Sequence, residues 1–127
     1  MAIRIFHRDK PDLKMPMIAE DARLVVWLGV GSKTANMNFV DMQPGERNVP
    51  HAHPRSEDTI FVIEGAGTVE DLTNGLVFDV HAGQVVHVPA GILHAVKADK
   101  GSNIVSVGGP APADELMLEK MGVDIPS

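Results

Sequence analysis

Apolar residues occur along the chain in short runs that are separated by Gly, Pro, Asn and Asp. Short apolar runs bounded by turn-forming residues are typical of β-strands rather than of helices. The pattern predicts strands at Ile3–Phe6, Arg23–Val30, Ala35–Met42, Thr59–Glu64, Thr68–Leu72, Leu76–Val80, Val85–Val88, Leu93–Lys97 and Asn103–Val107. Many short strands with frequent turns indicate an all-β domain, built as a sandwich, jelly roll or closed barrel.

The two ends of the chain have different patterns. Residues 1–20 include two prolines in "KPDLKMPMI" and are predicted to be extended, either as an edge strand or as an arm that adds a strand to the sheet of a neighbouring copy. Near the other end, Asp114 can cap a helix that Gly122 ends, which predicts one short C-terminal helix at residues 113–122, packed outside the barrel. With 127 residues and no repeat or linker, residues 1–127 are predicted to form a single domain.

Composition and charge narrow the possible partners. The chain has 11 basic and 17 acidic residues, and no basic block that could follow a phosphate backbone, so nucleic acid is not an expected partner. It has no cysteine, so a transition metal would be bound by nitrogen and oxygen atoms. No signal-peptide pattern and no run of membrane-spanning length is present, so we expect a cytoplasmic protein without a membrane partner.

The stretch "PHAHPRSEDTIFVIEG" places His51 and His53 two residues apart. In an extended segment such side chains point to the same face, with Cα atoms about 6.5 to 7 Å apart, so both imidazoles can bind one ion. The pair alone is a weak motif, because a chain of 127 residues with six histidines readily contains one by chance.

The residues around this pair make the pattern specific. Gly45 lies six residues before His51, an acidic residue follows "PRS", and Gly65 ends the stretch. Farther along, "GQVVHVPAGILH" supplies Gly83, Pro89, Gly91 and His94. This arrangement resembles the two motifs of the cupin superfamily: glycine, H-x-H, a carboxylate and glycine, followed by glycine, P-x-G and histidine. The resemblance covers residues 45–98, and it departs from the family at Ala98, where the second motif has asparagine.

The carboxylate of the first motif can be assigned in two ways. Counting forward from His53 gives Glu57, whereas counting back from Gly65 gives Asp58. Strand alternation favours Asp58, because it shares a face with the apolar residues Ile60 and Val62. Asp58 is therefore the predicted metal ligand, and Glu57 is the alternative.

The resemblance implies a double-stranded β-helix, the jelly-roll barrel of cupins, that holds one divalent metal through His51, His53, Asp58 and His94. Imidazole and carboxylate ligands suit Fe, Mn, Ni, Zn, Co or Cu and do not select among them. The resemblance also implies a homodimer. His87, between the motif residues, is interpreted as structural, with support of a ligand as the alternative.

Two functions fit these residues. The first is a small metal-dependent enzyme acting on a compact oxygenated molecule, either by oxygenation or by enolisation, decarboxylation or C–C cleavage. In that hypothesis Glu57 is the predicted catalytic residue, because the less tightly coordinated of Glu57 and Asp58 could move a proton. The alternative is a non-catalytic module that binds a sugar or another small molecule.

Overall fold

The structure, a computed structural model, describes residues 2–112 and residue 119. Within these residues the chain forms eight strands and one short 3₁₀ turn at Leu28–Val30. The strands are β1 Leu13–Lys14, β2 Asp21–Val26, β3 Met37–Met42, β4 Glu57–Asp71, β5 Leu76–His81, β6 Val85–Val88, β7 His94–Ala98 and β8 Ile104–Ala111. The predicted all-β class is confirmed. Apart from residue 119, the predicted helix at residues 113–122 lies outside the described residues.

One long strand organises the fold. The first half of β4 pairs with β8 and β6 in a sheet whose order is β1-β2-β3-β8-β4-β6, and the second half pairs with β5 and β7. All of these pairings are antiparallel. Because β4 belongs to both groups of strands, it joins two walls that enclose a common interior.

Gly65 explains why the sequence divided β4 into two strands. The stretch "EGAG" looks like a turn, but the strand continues through it, and the pairing with β8 shifts register between Val62 and Glu64. Gly65 has φ of 92°, and a Cβ atom there would lie 1.6 Å from the backbone oxygen of Asn103. Glycine is therefore required for a bend with close backbone approach rather than for a hairpin.

The N-terminal arm folds onto its own domain. No strand forms at residues 3–6, where Ile3 and Ile5 are exposed. Instead, β1 pairs with β2 of the same chain, with Leu13 opposite Leu24, and Met15 is buried in the core. β1 is therefore an edge strand of its own sheet, and the addition of the arm to a neighbouring copy stays a prediction.

Most of the core residues belong to the sheet β1-β2-β3-β8-β4-β6 and to the arm, and Ala98 belongs to β7. Along β4, Asp58 and Val62 are buried whereas Glu57 and Phe61 are exposed, as strand alternation requires. The buried cluster comprises Met15, Ala19, Ala22, Leu24, Trp27, Met42, Val62, Ala98 and Ile104. Among the described residues, no helix is long and apolar enough to cross a membrane.

Candidate metal centre

Backbone pairing brings the two histidine motifs together. The amide of His51 donates to the oxygen of His94 at 3.1 Å, and the amide of His94 donates to the oxygen of His51 at 3.0 Å. The amide of Gly91 donates to the oxygen of His53 at 2.9 Å. The segment before β7 is therefore fixed against the segment before β4, although more than 35 residues separate them in sequence.

The four predicted ligands form one cluster. The ring centroids of His51 lie 4.9 Å from His53 and 4.5 Å from His94. The Oδ2 atom of Asp58 lies 3.4 Å from Nε2 of His53 and 3.8 Å from Nε2 of His94. One nitrogen or oxygen atom from each residue lies within 4.8 Å of the others, so the group could hold a metal ion. Ligands about 2.1 Å from a common ion lie roughly 3 to 4 Å apart, close to this spacing.

Backbone carbonyls set the orientation of two imidazoles. The Nδ1 atom of His51 lies 2.7 Å from the oxygen of Val49, and Nδ1 of His94 lies 2.9 Å from the oxygen of Ile92. Because a carbonyl oxygen only accepts, each Nδ1 carries the proton, and each Nε2 keeps its lone pair for a ligand bond.

Two buried polar atoms in the cluster have no hydrogen-bond partner: Nε2 of His94 and Oδ1 of Asp58. The 3.8 Å contact between His94 and Asp58 Oδ2 is too long for a hydrogen bond and acts electrostatically. Burying such atoms without partners is costly, and a cation at this position would satisfy both of them. The residues therefore fit a metal site.

The protonation states also suit a metal. Burial lowers the pKa of His51 to about 4, against the hydrogen bond to the oxygen of Val49, which raises it. For Asp58, burial alone would raise the pKa, but the neighbouring imidazoles of His53 and His94 lower it to about 2. At neutral pH the cluster thus combines a neutral His51 with a buried carboxylate anion, and a cation would compensate that negative charge.

Glu57 lies outside the cluster. Its Oε1 atom is 2.8 Å from Nε2 of His87, and both side chains are more than half exposed. Since Glu57 and Asp58 are consecutive in β4, their side chains point to opposite faces of the sheet. The geometry therefore does not support Glu57 as the fourth ligand or as the residue that moves a proton. His87 contacts Glu57 on the outer face.

The cluster faces a cavity whose empty space is about 960 Å³, including its opening to solvent. Most of the lining is apolar, with aliphatic side chains from both walls of the barrel. The sequence interpretation missed the polar lining residues, which are Asn36, Asn38, Asn48 and Ser106. Asn36 and Asn38 fall within the predicted strand Ala35–Met42, but alternation along a strand does not tell which of its two faces lines the cavity.

Comparison with known proteins places this geometry in a family. A family model described as a cupin domain matches residues 38–107, more than half of the 127 residues. Germin-like protein subfamily T member 2 of Arabidopsis thaliana is 37% identical over 76 residues, which cover 58% of this chain and 34% of that protein. Oxalate oxidase GF-3.8 of Triticum aestivum is 32% identical over 80 residues, which cover 58% of this chain and 36% of that protein. The aligned segments thus span only about a third of these relatives' length.

Solved structures share the fold at lower identity. The polyketide cyclase RemF from Streptomyces resistomycificus aligns with a TM-score of 0.72 and 19% identity over 91% of this chain and 82% of that chain. KdgF from Halomonas sp. aligns with a TM-score of 0.71 and 20% identity over 92% of this chain and 100% of that chain. A protein with a double-stranded β-helix domain from Klebsiella pneumoniae aligns with a TM-score of 0.69 and 24% identity over 87% and 91% of the two chains. With the predicted barrel confirmed and the family model matched, this chain belongs to the cupin family.

Proposed function

We propose that this protein is a metal-dependent enzyme that acts on a compact oxygenated molecule inside the barrel. One divalent transition metal would be held by His51, His53, Asp58 and His94. The observation that carries the proposal is the pair of buried atoms without hydrogen bonds, His94 Nε2 and Asp58 Oδ1, at the edge of a mostly apolar cavity.

The bound metal would supply Lewis-acid chemistry, polarising a carbonyl, enolate or carboxylate oxygen of the substrate. The chain's own residues supply the setting for this chemistry. The carbonyl oxygens of Val49 and Ile92 hold two imidazoles in the tautomer that leaves Nε2 able to bind. The apolar walls exclude water and strengthen electrostatic interactions at the site.

Proton transfer is assigned to Asp58. Among the described residues that line the cavity, Asp58 has the only carboxylate, and its Oδ1 atom has no hydrogen-bond donor. In the metal-loaded protein, the oxygen of Asp58 that does not bind the ion could accept a proton from a carbon next to a polarised carbonyl and return it elsewhere. This assignment favours enolisation, and the decarboxylation or C–C cleavage that enolisation permits. Oxygenation of the substrate is the alternative reaction, and the measurement of oxygen uptake described below would detect it.

The names of similar proteins support an enzyme of this kind. One relative is an oxalate oxidase, and one structural neighbour is a polyketide cyclase. The lining of the cavity of this chain is mostly apolar. An oxygenated molecule that is less charged than oxalate therefore suits it better. A homodimer, expected for this family, is part of the proposal.

The test begins with protein loaded separately with Fe²⁺, Mn²⁺, Ni²⁺ or Zn²⁺, and measures metal content by mass spectrometry. Each form is then given a panel of β-diketones, flavonols and keto acids, with oxygen uptake and product formation recorded. We expect one metal per chain and turnover of at least one class, both lost in His94→Ala.

His87→Ala is the matched control, because His87 is an exposed histidine outside the cluster. It should retain metal and turnover. Equal metal content in His94→Ala and the wild type would contradict the proposed centre. Ligands that stabilise the metal-loaded protein without any turnover would instead favour the non-catalytic binding module.

A further inference from the structure

Two asparagines in the cavity wall have polar atoms that the protein leaves unused. The Oδ1 atoms of Asn36 and Asn38 are buried and have no hydrogen-bond partner. Asn48, which also lines the cavity, differs because its Oδ1 accepts a hydrogen bond from the amide of Val96 at 2.8 Å. Asn48 therefore has a structural role, whereas Asn36 and Asn38 each keep a buried acceptor that a ligand could use.

The two side-chain amides converge on one place. A Cβ atom at Gly109 would lie 2.8 Å from Nδ2 of Asn38 and 3.0 Å from Nδ2 of Asn36. Both amides thus pack against the bare backbone of the same glycine, side by side at the edge of the cavity. Adjacent carboxamides offer donors and acceptors together, which matches a hydroxyl group because a hydroxyl can donate and accept.

Strand register separates this pair from the metal centre. Asn38 lies opposite Gly108, which in turn lies opposite Ile60, two residues from Asp58 on the same face of β4. Two strand spacings and two residues along a strand place the Cα atoms of Asn38 and Asp58 roughly 10 to 12 Å apart. The lining residues between them are Ile60 and Pro110, which are apolar, and Gly108.

The charge of the lining limits what can bind there. Among the described lining residues there is no lysine or arginine, and every ionisable side chain belongs to the metal-binding cluster. A ligand with a phosphate or carboxylate at the far end would bury that charge without a partner, at a large cost. The far end of the ligand must therefore be polar but neutral.

Building on the proposed function, we propose that Asn36 and Asn38 form a substrate-specificity subsite that binds a hydroxyl group. The substrate class that fits is an uncharged, largely apolar molecule with metal-chelating oxygens at one end and a hydroxyl group at the other, on the order of 10 Å away.

The test compares two probes that differ by one hydroxyl group, benzoylacetone and its 4-hydroxyphenyl analogue. Calorimetry measures the affinity of each for Zn²⁺-loaded protein. We expect the wild type to bind the hydroxylated probe about tenfold more tightly, the ratio expected for one well-placed hydrogen bond to buried acceptors. In Asn36→Leu/Asn38→Leu the ratio should fall to about one while zinc content is unchanged, since neither residue is a ligand.

If the double variant folds poorly, the single variants Asn36→Ala and Asn38→Ala provide a second measurement. These substitutions shorten the side chain rather than add apolar surface. Each should reduce the ratio severalfold. Asn74→Leu is the matched control, because Asn74 is an exposed turn residue bonded to Asp71, and it should keep the wild-type ratio.

Equal affinities of the two probes for zinc-loaded wild type would overturn the subsite, as would a preference that survives the double substitution. Failure of the proposed function gives a different result, in which the protein takes up no zinc and the affinity for both probes is lost together. The two failures are therefore distinguishable in one set of measurements.

Discussion

His51 and His94 exchange two backbone hydrogen bonds, at 3.1 Å and 3.0 Å, and their imidazole centroids lie 4.5 Å apart. The main chain, rather than a metal, thus fixes the distance between the two motifs that carry the ligands. A site built in this way is preorganised, so metal binding does not have to provide the free energy of folding the barrel.

Metal removal should therefore weaken the protein without unfolding it. We expect chelator-treated protein to keep its β-sheet circular dichroism and to melt cooperatively at a lower temperature. At a free metal concentration one hundred times Kd, the metal should stabilise the fold by about 2.7 kcal/mol. Calorimetric melting with and without metal measures this difference. Loss of all sheet signal in the chelator would show that the fold depends on the metal.

Asp58 and Glu57 should differ sharply when each carboxylate is made neutral. Asp58→Asn should lower metal affinity by at least about 100-fold, because it removes a charged ligand from a buried cluster. Glu57→Gln should leave affinity and turnover near wild type, since it breaks only an exposed contact with His87. Competition titration with a chromophoric chelator measures both. If Glu57→Gln lowered metal affinity as much as Asp58→Asn, the assignment of Asp58 rather than Glu57 as the metal ligand would be wrong.

The metal-free protein should become less stable as pH falls from about 6.5 to about 4. Burial lowers the pKa of His51 to about 4 from its usual 6.5. Between these values the unfolded chain binds a proton that the folded protein does not, so unfolding becomes easier as pH decreases.

Because His51 is only partly buried, we expect this loss of stability to be about 1 to 2 kcal/mol. Urea unfolding of the metal-free protein at several pH values measures it. His51→Ala should flatten the dependence, and an equally steep dependence in that variant would assign it to other groups.

Gly65→Ala should be among the most damaging single-methyl additions in the chain. The new Cβ atom would lie 1.6 Å from the oxygen of Asn103, and the backbone there has φ of 92°. We expect a loss of about 3 kcal/mol or more in unfolding free energy, from overpacking and backbone strain together. Gly101→Ala is the control, because open space surrounds that position. This substitution should change the free energy of unfolding little.

Removal of residues 1–16 should destabilise the domain by about 2 kcal/mol or more, because it removes buried Met15 and the β1 pairing. Since β1 pairs within its own chain, the truncated protein should keep the dimer expected for wild type, as measured by sedimentation. Removal of residues 1–6 should change stability little. If the protein without residues 1–16 were monomeric, the arm would be part of the dimer interface.

The sequence predicted the candidate metal ligands best, because few residue types can bind a metal. Spacing within the two motifs identified the four residues that the fold brings together, and alternation along β4 distinguished Asp58 from Glu57. Periodicity could not reveal that β4 continues through Gly65, because a glycine that permits a bend has the same local pattern as one that forms a hairpin. Nor could it place Asn36 and Asn38 in the cavity wall, since that depends on pairing between β3 and β8, which are distant in sequence.

Because β4 is continuous, the width of the cavity and the orientation of the Asp58 carboxylate depend on the same strand. Asp58 lies near one end of the strand, and Val69, which lines the opposite wall, lies near the other. A change in the backbone angle at Gly65 would move the two halves of β4, and the two walls to which they belong, relative to each other. Substitutions that widen the chamber at this bend would therefore also turn Asp58, so the protein can adjust to bulkier substrates more safely through side chains on β2, β3 and β8.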